Sequence, residues 1–563
     1  MADEHIGTVL VRGGTVVDGT GAAGRLADVR VRDGQIVEVA PDLRPDGEIE
    51  IDASGATVIP GLIESHTHFD GSLWWDPDCD PMPGYGTTTV VSGNCGLGLA
   101  PVRDDDVGDL IDLFCFIEDL PGEAFRSAIP WTWHSWPEYH EVASAHPTGV
   151  NFASFFPHQF LRVWAMGPAA WERAATDGER ARMREALAEA LHVGALGLST
   201  SVMDTDRQNR RVPSRLADDT EFDDLFAELG DHPGSVFQFV PRFMEPEHFF
   251  SDLGRFATFA ARHDVPTLYA GVRLEQASSD AFAKTARHVE GLQAGGARLT
   301  GLMSARPSHV NMHFERSIMW SGVAAWHELV VASAGDKPAL LDDPDWRERA
   351  RTDWDACTYT LVPIRTPERL ILVGGRDDGR SLGEVATRDR VHPSDALVEW
   401  LRDTRLQGNL RTGDRPIDDA SAAQALRSVD YLSGASDAGA HIQMFSGAGD
   451  STYVLAHLAR DEALLPLEAA VHAVTGRPAR YFGIPDRGVV APGAVGDLAV
   501  FELDALQNGA EHRVFDVPAG GWRYTREPGG YRATIVAGVP TWLDGGPTGA
   551  RPGTMLRRAG STG

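Results

Sequence analysis

Two histidines one residue apart, His66 and His68, follow the apolar run Val58-Ile59-Pro60-Gly61-Leu62-Ile63. Side chains in a strand alternate with a period of two, so both imidazoles project to one side. Two neutral imidazoles side by side make half of a zinc site. An HxH pair alone is an ordinary surface pair; its place after a buried-type strand and a Pro-Gly turn marks it for metal binding. A second cluster, Thr87-Thr88-Thr89-Val90-Val91-Ser92-Gly93-Asn94-Cys95, runs a β-branched strand into a loop that carries a thiol. Cys95 suits either a small buried hydrophobe or, as a thiolate, a soft metal ligand. A third cluster, Ser436-Asp437-Ala438-Gly439-Ala440-His441, sets a carboxylate and an imidazole four residues apart among small residues that allow close approach to a ligand. Its plainer reading is a turn capped by Asp437.

These clusters need elements to position them. The first sixty residues read as β, with a hairpin over 28–39 whose apolar residues alternate in both arms around Asp33-Gly34. From about residue 61 to 484, helical and strand patterns alternate: Arg182–Leu191 carries an apolar helical face, and Ala195–Ser199, Gly234–Val240 and Pro266–Ala270 read as strands. Such alternation over some four hundred residues predicts an α/β fold, a TIM-like (β/α)8 barrel with insertions. A doubly wound open sheet shares the pattern, but no Gly-rich nucleotide fingerprint follows an early strand. The stretches Gly496–Phe501 and Tyr531–Trp542 return to β. Residues 1–60 and 485–550 are therefore expected to form one small composite β domain, 61–484 the barrel, and 551–563 a loose tail.

The chain of 563 residues carries 81 acidic against 51 basic residues, a formal charge of −30. That balance argues against nucleic acid or an anionic membrane as partner. Four cysteines without a CxxC pair give no disulfide framework. The N-terminus lacks a basic region followed by an apolar core, and no apolar run approaches the roughly 20 residues that span a bilayer. The expected location is cytoplasmic.

The run PGLIESHTHFD together with GTTTVVSGNCGLGLAP, GALGLSTS, SDAGAH and GVVAPGAVGDLAVFELD resembles the amidohydrolase superfamily, specifically its N-acyl-D-amino-acid deacylase (D-aminoacylase) branch, over nearly the whole length. The resemblance implies a barrel with metal at the C-terminal ends of its strands. It casts His66, His68, Cys95 and Asp437 as metal ligands, with Asp437 also moving protons and His441 polarising the scissile carbonyl. It implies His158 and Arg162 facing substrate, where a satisfied core histidine and a surface arginine are the bland readings, and Asp70 orienting His66 or His68. The pairs Trp74-Trp75 and Trp131/Trp133/Trp136 read rather as core or lid packing. The chain departs from the family where it places two further metal histidines. Gln238-Phe239-Val240-Pro241-Arg242 and Leu268-Tyr269-Ala270-Gly271-Val272-Arg273 contain none, so one zinc is expected rather than two. The implied function is hydrolysis of a small-molecule amide, an N-acyl (D-)amino acid above all, by a zinc-activated water with Asp437 as general base and acid. A cyclic amide or lactone hydrolase, a metal-dependent decarboxylase and a degenerate, non-catalytic binding barrel are the alternatives. Self-association into a homo-oligomer fits the charged, aromatic insertion 336–368 as a subunit contact; the same segment also suits a lid.

Overall fold

The computed structural model describes residues 7–276, 279–357 and 362–561. Eight parallel strands succeed one another around a barrel: Leu62–Glu64, Thr87–Ser92, Asn151–Ser154 continued by Phe156–Pro157, Gly197–Ser201, Val236–Val240, Thr267–Tyr269, Leu299–Leu302 and Tyr431–Leu432. The backbone closes between the last and first strands, where His66 N donates to Gly434 O (3.0 Å) and His68 N to Ala438 O (2.8 Å). Ile63, Val91, Ala153, Leu196, Val236, Leu268, Leu302 and Leu432, one from each strand or its approach, pack together as buried filling. The barrel is thus a packed core, and its open chemistry is confined to the strand ends.

The helices between strands form as the sequence directs. Asp177–Val193 starts with a capping box in which Thr176 and Glu179 satisfy each other's backbone donors, and it buries Met183, Leu187, Ala190 and Leu191. Trp133 and Trp136 are buried, and Trp133 stacks on Trp74 at 5.2 Å between ring centroids, so these tryptophans are packing.

A nine-stranded sheet draws Val9–Val16, Arg25–Arg32, Gln35–Ala40, Ile49–Asp52 and Thr57–Pro60 from one end of the chain and Leu498–Phe501, Tyr531–Val536, Val539–Leu543 and Gly546–Pro547 from the other. Thr57–Pro60 lies between Val9–Val16 and Leu498–Phe501, which joins the two ends. Asp33 and Gly34 both take positive φ (51° and 76°), the turn that the 28–39 hairpin calls for. The stretch 531–542 is itself a hairpin, because Ala537 and Gly538 also turn left-handed.

Three features differ from or add to expectation. The insertion between the seventh and eighth strands carries a three-stranded antiparallel sheet and five helices, Ala324–Val331, Lys337–Asp342, Pro344–Ala356, Leu382–Asp389 and Pro393–Asp403, around their own apolar core. A long hairpin, Gln507–Val517 with Gly521–Gly529, leaves the β sheet and reaches the barrel mouth, where Tyr524 N donates to Ile442 O (2.7 Å). The expectation of a loose tail is corrected: Gly553 N donates to Thr148 O (2.8 Å), Leu556 N to Phe152 O (2.7 Å) and Arg558 N to Gly194 O (3.2 Å), and Leu556 is buried.

Candidate metal centre

Each member of the centre sits just beyond a strand end. His66 and His68 continue the first strand, clamped by the eighth on one side and by Thr67 N donating to Val91 O (2.9 Å) on the other. Cys95 follows the second strand in a tight turn at φ 58°. Two buried glutamines fix that turn: Gln238 Oε1 accepts from Cys95 N (3.1 Å), and Gln159 Nε2 donates to Cys95 O (2.9 Å). Asp437 and His441 lie in the loop after the eighth strand, also at positive φ (57° and 49°). Three non-glycine residues held in the left-handed region at one place are backbone strain of the kind that gathers at functional sites. Gly439 between them has φ 85°, and a Cβ there would meet His68 C and Phe69 N at 2.8 Å.

The Nε2 atoms of His66 and His68 are 3.3 Å apart, and Cys95 Sγ lies 3.4 and 3.7 Å from them. Asp437 Oδ1 is 3.6 Å from His66 Nε2 and 3.4 Å from His68 Nε2. Tetrahedral zinc, with bonds of about 2.0 Å to nitrogen and about 2.3 Å to sulfur, sets neighbouring donors about 3.3–3.5 Å apart. The thiol and the carboxylate thus each stand at about that spacing from the two imidazoles. Their electrostatics ask for a cation as well. Burial holds both imidazoles neutral, with His68 pushed down to about 3. Burial, then the charges of Glu118, Asp437, Asp204 and Asp70, push the Cys95 thiol well above its ordinary range. Burial also opposes ionisation of Asp437, but the imidazoles of His441, His68 and His66 outweigh it and hold this carboxyl below the usual range. The Asp437 side chain is 34% exposed and His441 18%, which puts both on the open side of the centre.

The structure brings His66, His68, Cys95, Asp437 and His441 together, and it corrects three other assignments. His158 and Arg162 do not face a substrate pocket. Both are fully buried, where Glu221 takes His158 Nε2 at 2.8 Å and pairs with Arg162, while His158 Nδ1 meets Thr200 Oγ1 at 2.9 Å. A buried Arg–Glu pair is tolerated only when its remaining lone pairs and protons are matched, and here His158 supplies the match, so these residues hold the helix after the third strand against the barrel. Asp70 does not bond to either histidine; its Oδ1 accepts from Gly93 N (2.9 Å) and so steadies the turn that carries Cys95. Burial raises Asp70 to about 7.

Two acids absent from the sequence-level reading join the centre. Glu118, at the end of the helix Val107–Ile117, places Oε1 3.7 Å from His68 Nδ1 and Oε2 3.3 Å from His441 Nε2. Asp204, after the fourth strand, is buried close enough to raise the Cys95 thiol and Glu118 electrostatically. The available signal was the acidic pair Glu118-Asp119 closing the otherwise apolar Leu113-Phe114-Cys115-Phe116-Ile117. Of the two segments where the family places further histidines, the first carries the buried Val240 at the expected position and the second, 268–273, carries no histidine. Among the described residues both ligand groupings, His66/His68/Cys95 and His68/Glu118/Asp437, are built on His68.

The amidohydrolase family model matches residues 50–356 and 385–542. A D-aminoacylase of Alcaligenes xylosoxydans xylosoxydans is 27% identical over 562 residues, covering 99% of each chain. An N-acyl-D-aspartate deacylase of the same organism is 28% identical over 553 residues, covering 97% of this chain and 94% of that one. A solved D-aminoacylase, studied for the functional role of a binuclear metal centre with one-metal activation and second-metal attenuation, superposes with a TM-score of 0.68 at 26% identity, over 98% of this chain and 99% of that one.

Proposed function

The chain belongs to the amidohydrolase family, hydrolases of carbon–nitrogen bonds other than peptide bonds, and from that premise we propose that it deacylates an N-acyl amino acid, of D configuration, with one zinc ion held by His66, His68, Cys95 and Asp437. The carrying observation is a pair of neutral imidazoles 3.3 Å apart, with a thiol at 3.4 and 3.7 Å and a carboxylate oxygen at 3.6 and 3.4 Å from their Nε2 atoms. The single ion is supported by the absence of histidine from residues 238–242 and 268–273, the segments where the family places further ligands. The D-amino-acid substrate is supported by what the relatives act on.

When bound, the ion would supply Lewis acidity and bring a water near ionisation at neutral pH. The chain's own residues do the rest. The Asp437 carboxyl lies below its usual range and is ionised at neutral pH, so it is ready to take a proton from water and return it to the departing nitrogen. His441, its Nε2 3.8 Å from Asp437 Oδ2, stands beside that carboxylate on the open side of the centre, where its ring can help to polarise the carbonyl of a bound amide.

The test is turnover of a panel of N-acyl-D- and N-acyl-L-amino acids, with hydantoin-type cyclic amides beside them, by zinc-loaded wild type and Asp437→Asn. Deacylation of D substrates, reduced about 10²–10⁴-fold in Asp437→Asn, is expected. Stoichiometric zinc with turnover of cyclic amides alone would overturn the substrate. Full activity of Asp437→Asn would overturn the mechanism.

A further inference from the structure

We propose that Glu118 is a positioning residue of the metal centre, holding His68 and His441 from behind through the two oxygens of one carboxylate. The inference rests on the metal reading above and adds a residue to it.

Glu118 is 2% exposed. Among the described residues its carboxylate has no arginine or lysine partner, and its ion-pair contacts are both imidazoles: Oε1 at 3.7 Å from His68 Nδ1, Oε2 at 3.3 Å from His441 Nε2. Its backbone carbonyl also accepts from His441 N at 2.6 Å. A buried acid kept for packing or for capping a helix would be matched by backbone donors or a guanidinium. This one is matched to a ring after the first strand and to a ring after the eighth.

The need on the histidine side is specific. His68 Nε2 faces His66 Nε2, Cys95 Sγ and Asp437 Oδ1. To ligate, that nitrogen must present a lone pair, so the ring's one proton belongs on Nδ1. His68 Nδ1 is buried without a hydrogen-bond partner within range, and the Glu118 carboxylate stands opposite it. Oε1 at 3.7 Å is the acceptor that faces it, and a carboxyl group behind a ligating histidine fixes both tautomer and ring orientation. On the other side, His441 Nε2 lies between Glu118 Oε2 and Asp437 Oδ2 (3.3 and 3.8 Å). Glu118 thereby keeps His441 beside the proton-carrying oxygen of Asp437, and one side chain couples the ligand set to the substrate-facing imidazole.

The experiment uses full-length chain stripped of metal: wild type, Glu118→Gln, Glu118→Ala and, as reference, His66→Ala. Zinc affinity is read by competition with a chromophoric chelator, ligand geometry from the visible spectrum after Co²⁺ loading, and the melting midpoint on the metal-free proteins. Glu118→Ala is expected to bind zinc about 10–100-fold more weakly. Glu118→Gln, which keeps shape and one acceptor oxygen, is expected to lose less affinity, shift the Co²⁺ spectrum and keep the metal-free midpoint. Wild-type affinity and spectrum in both Glu118 variants, with affinity lost in His66→Ala, would overturn the role of Glu118 alone. Affinity lost only together with a lowered metal-free midpoint in Glu118→Gln would make it a packing residue and overturn the proposal too. If Glu118→Ala does not fold, Glu118→Gln decides. Wild type that takes up no zinc, or His66→Ala that binds it normally, would overturn the metal reading itself and this inference with it.

Discussion

A thiol that burial and four neighbouring carboxylates keep protonated must release its proton when a cation arrives at Cys95. His66 and His68 are already neutral over the working range, because burial lowers both, so they release none. The sign follows: zinc affinity rises with pH while the thiol is still protonated, about tenfold per unit for that one proton. Cys95→Ser should bind more weakly and show a slope smaller by about one proton, measured by chelator competition between about pH 6 and 8. Equal slopes in the two proteins would mean that Cys95 stays a thiol and is no ligand. The same residues show what single side chains reveal in a sequence. His66, His68 and Asp437 stand out because polar groups in an apolar or small-residue setting need a reason. Glu118 and Asp204 did not stand out, since each lies in a segment with no spacing to read and acquires its partners only when the barrel closes. His158 and Arg162 misled for the converse reason: a histidine and an arginine after a barrel strand look alike in sequence whether they face substrate or, as here, a buried Glu221.

At the scale of elements, the loop after the eighth strand shows how closely backbone must approach backbone. Gly439 combines φ 85° with a Cβ direction that runs into His68 C and Phe69 N at 2.8 Å, so even alanine there forces the loop off the first strand. Since the loop carries both Asp437 and His441, Gly439→Ala is expected to cut kcat/KM about 10²-fold, the scale of loss that a misplacement of about 1 Å produces. Zinc affinity should fall with it, through Asp437. Unaltered kcat/KM and affinity would show that the approach has slack the geometry does not suggest. Elements with regular periodicity were legible: the 28–39 hairpin, the helix 177–193 and the strands 197–201 and 236–240 lie where alternation or helical spacing puts them. The hairpin 507–529 was not. Its strands follow no two-residue rhythm of buried and exposed positions, because it packs by its tip and flanks against the mouth and not by one face on a core.

Across the whole molecule, the chain ends matter more than their composition suggests. The β sheet takes strands from both termini, and neither set alone covers the cluster of Val9, Val58, Leu498 and Ile535. Among the described residues no helix is long and apolar enough to cross a membrane. The last residues, rich in Gly, Pro and Arg, carry the composition of a loose end, yet after the β sheet they run along the start of the third strand and on to Gly194 and Pro233. Composition misleads here because two adjacent residues anchor the tail: Met555 packs against the neighbouring cores, and Leu556 enters the cluster of barrel-filling side chains beside Phe482 and Ile484. Deleting residues 551–563 uncovers that cluster and removes the backbone bonds to Thr148, Phe152 and Gly194. Burial of one leucine is worth about 1.5–3 kcal/mol, and each backbone hydrogen bond about 0.5–1.5 kcal/mol net. The truncated chain is therefore expected to lose about 3–7.5 kcal/mol and to melt several degrees lower, while its surviving folded fraction keeps wild-type zinc affinity, since the ligands sit at the opposite ends of the strands. Leu556→Ala in the full chain should reproduce a large part of the loss. Calorimetry of the three proteins checks this, and a truncated chain that melts with the wild type would show that these contacts contribute nothing to stability.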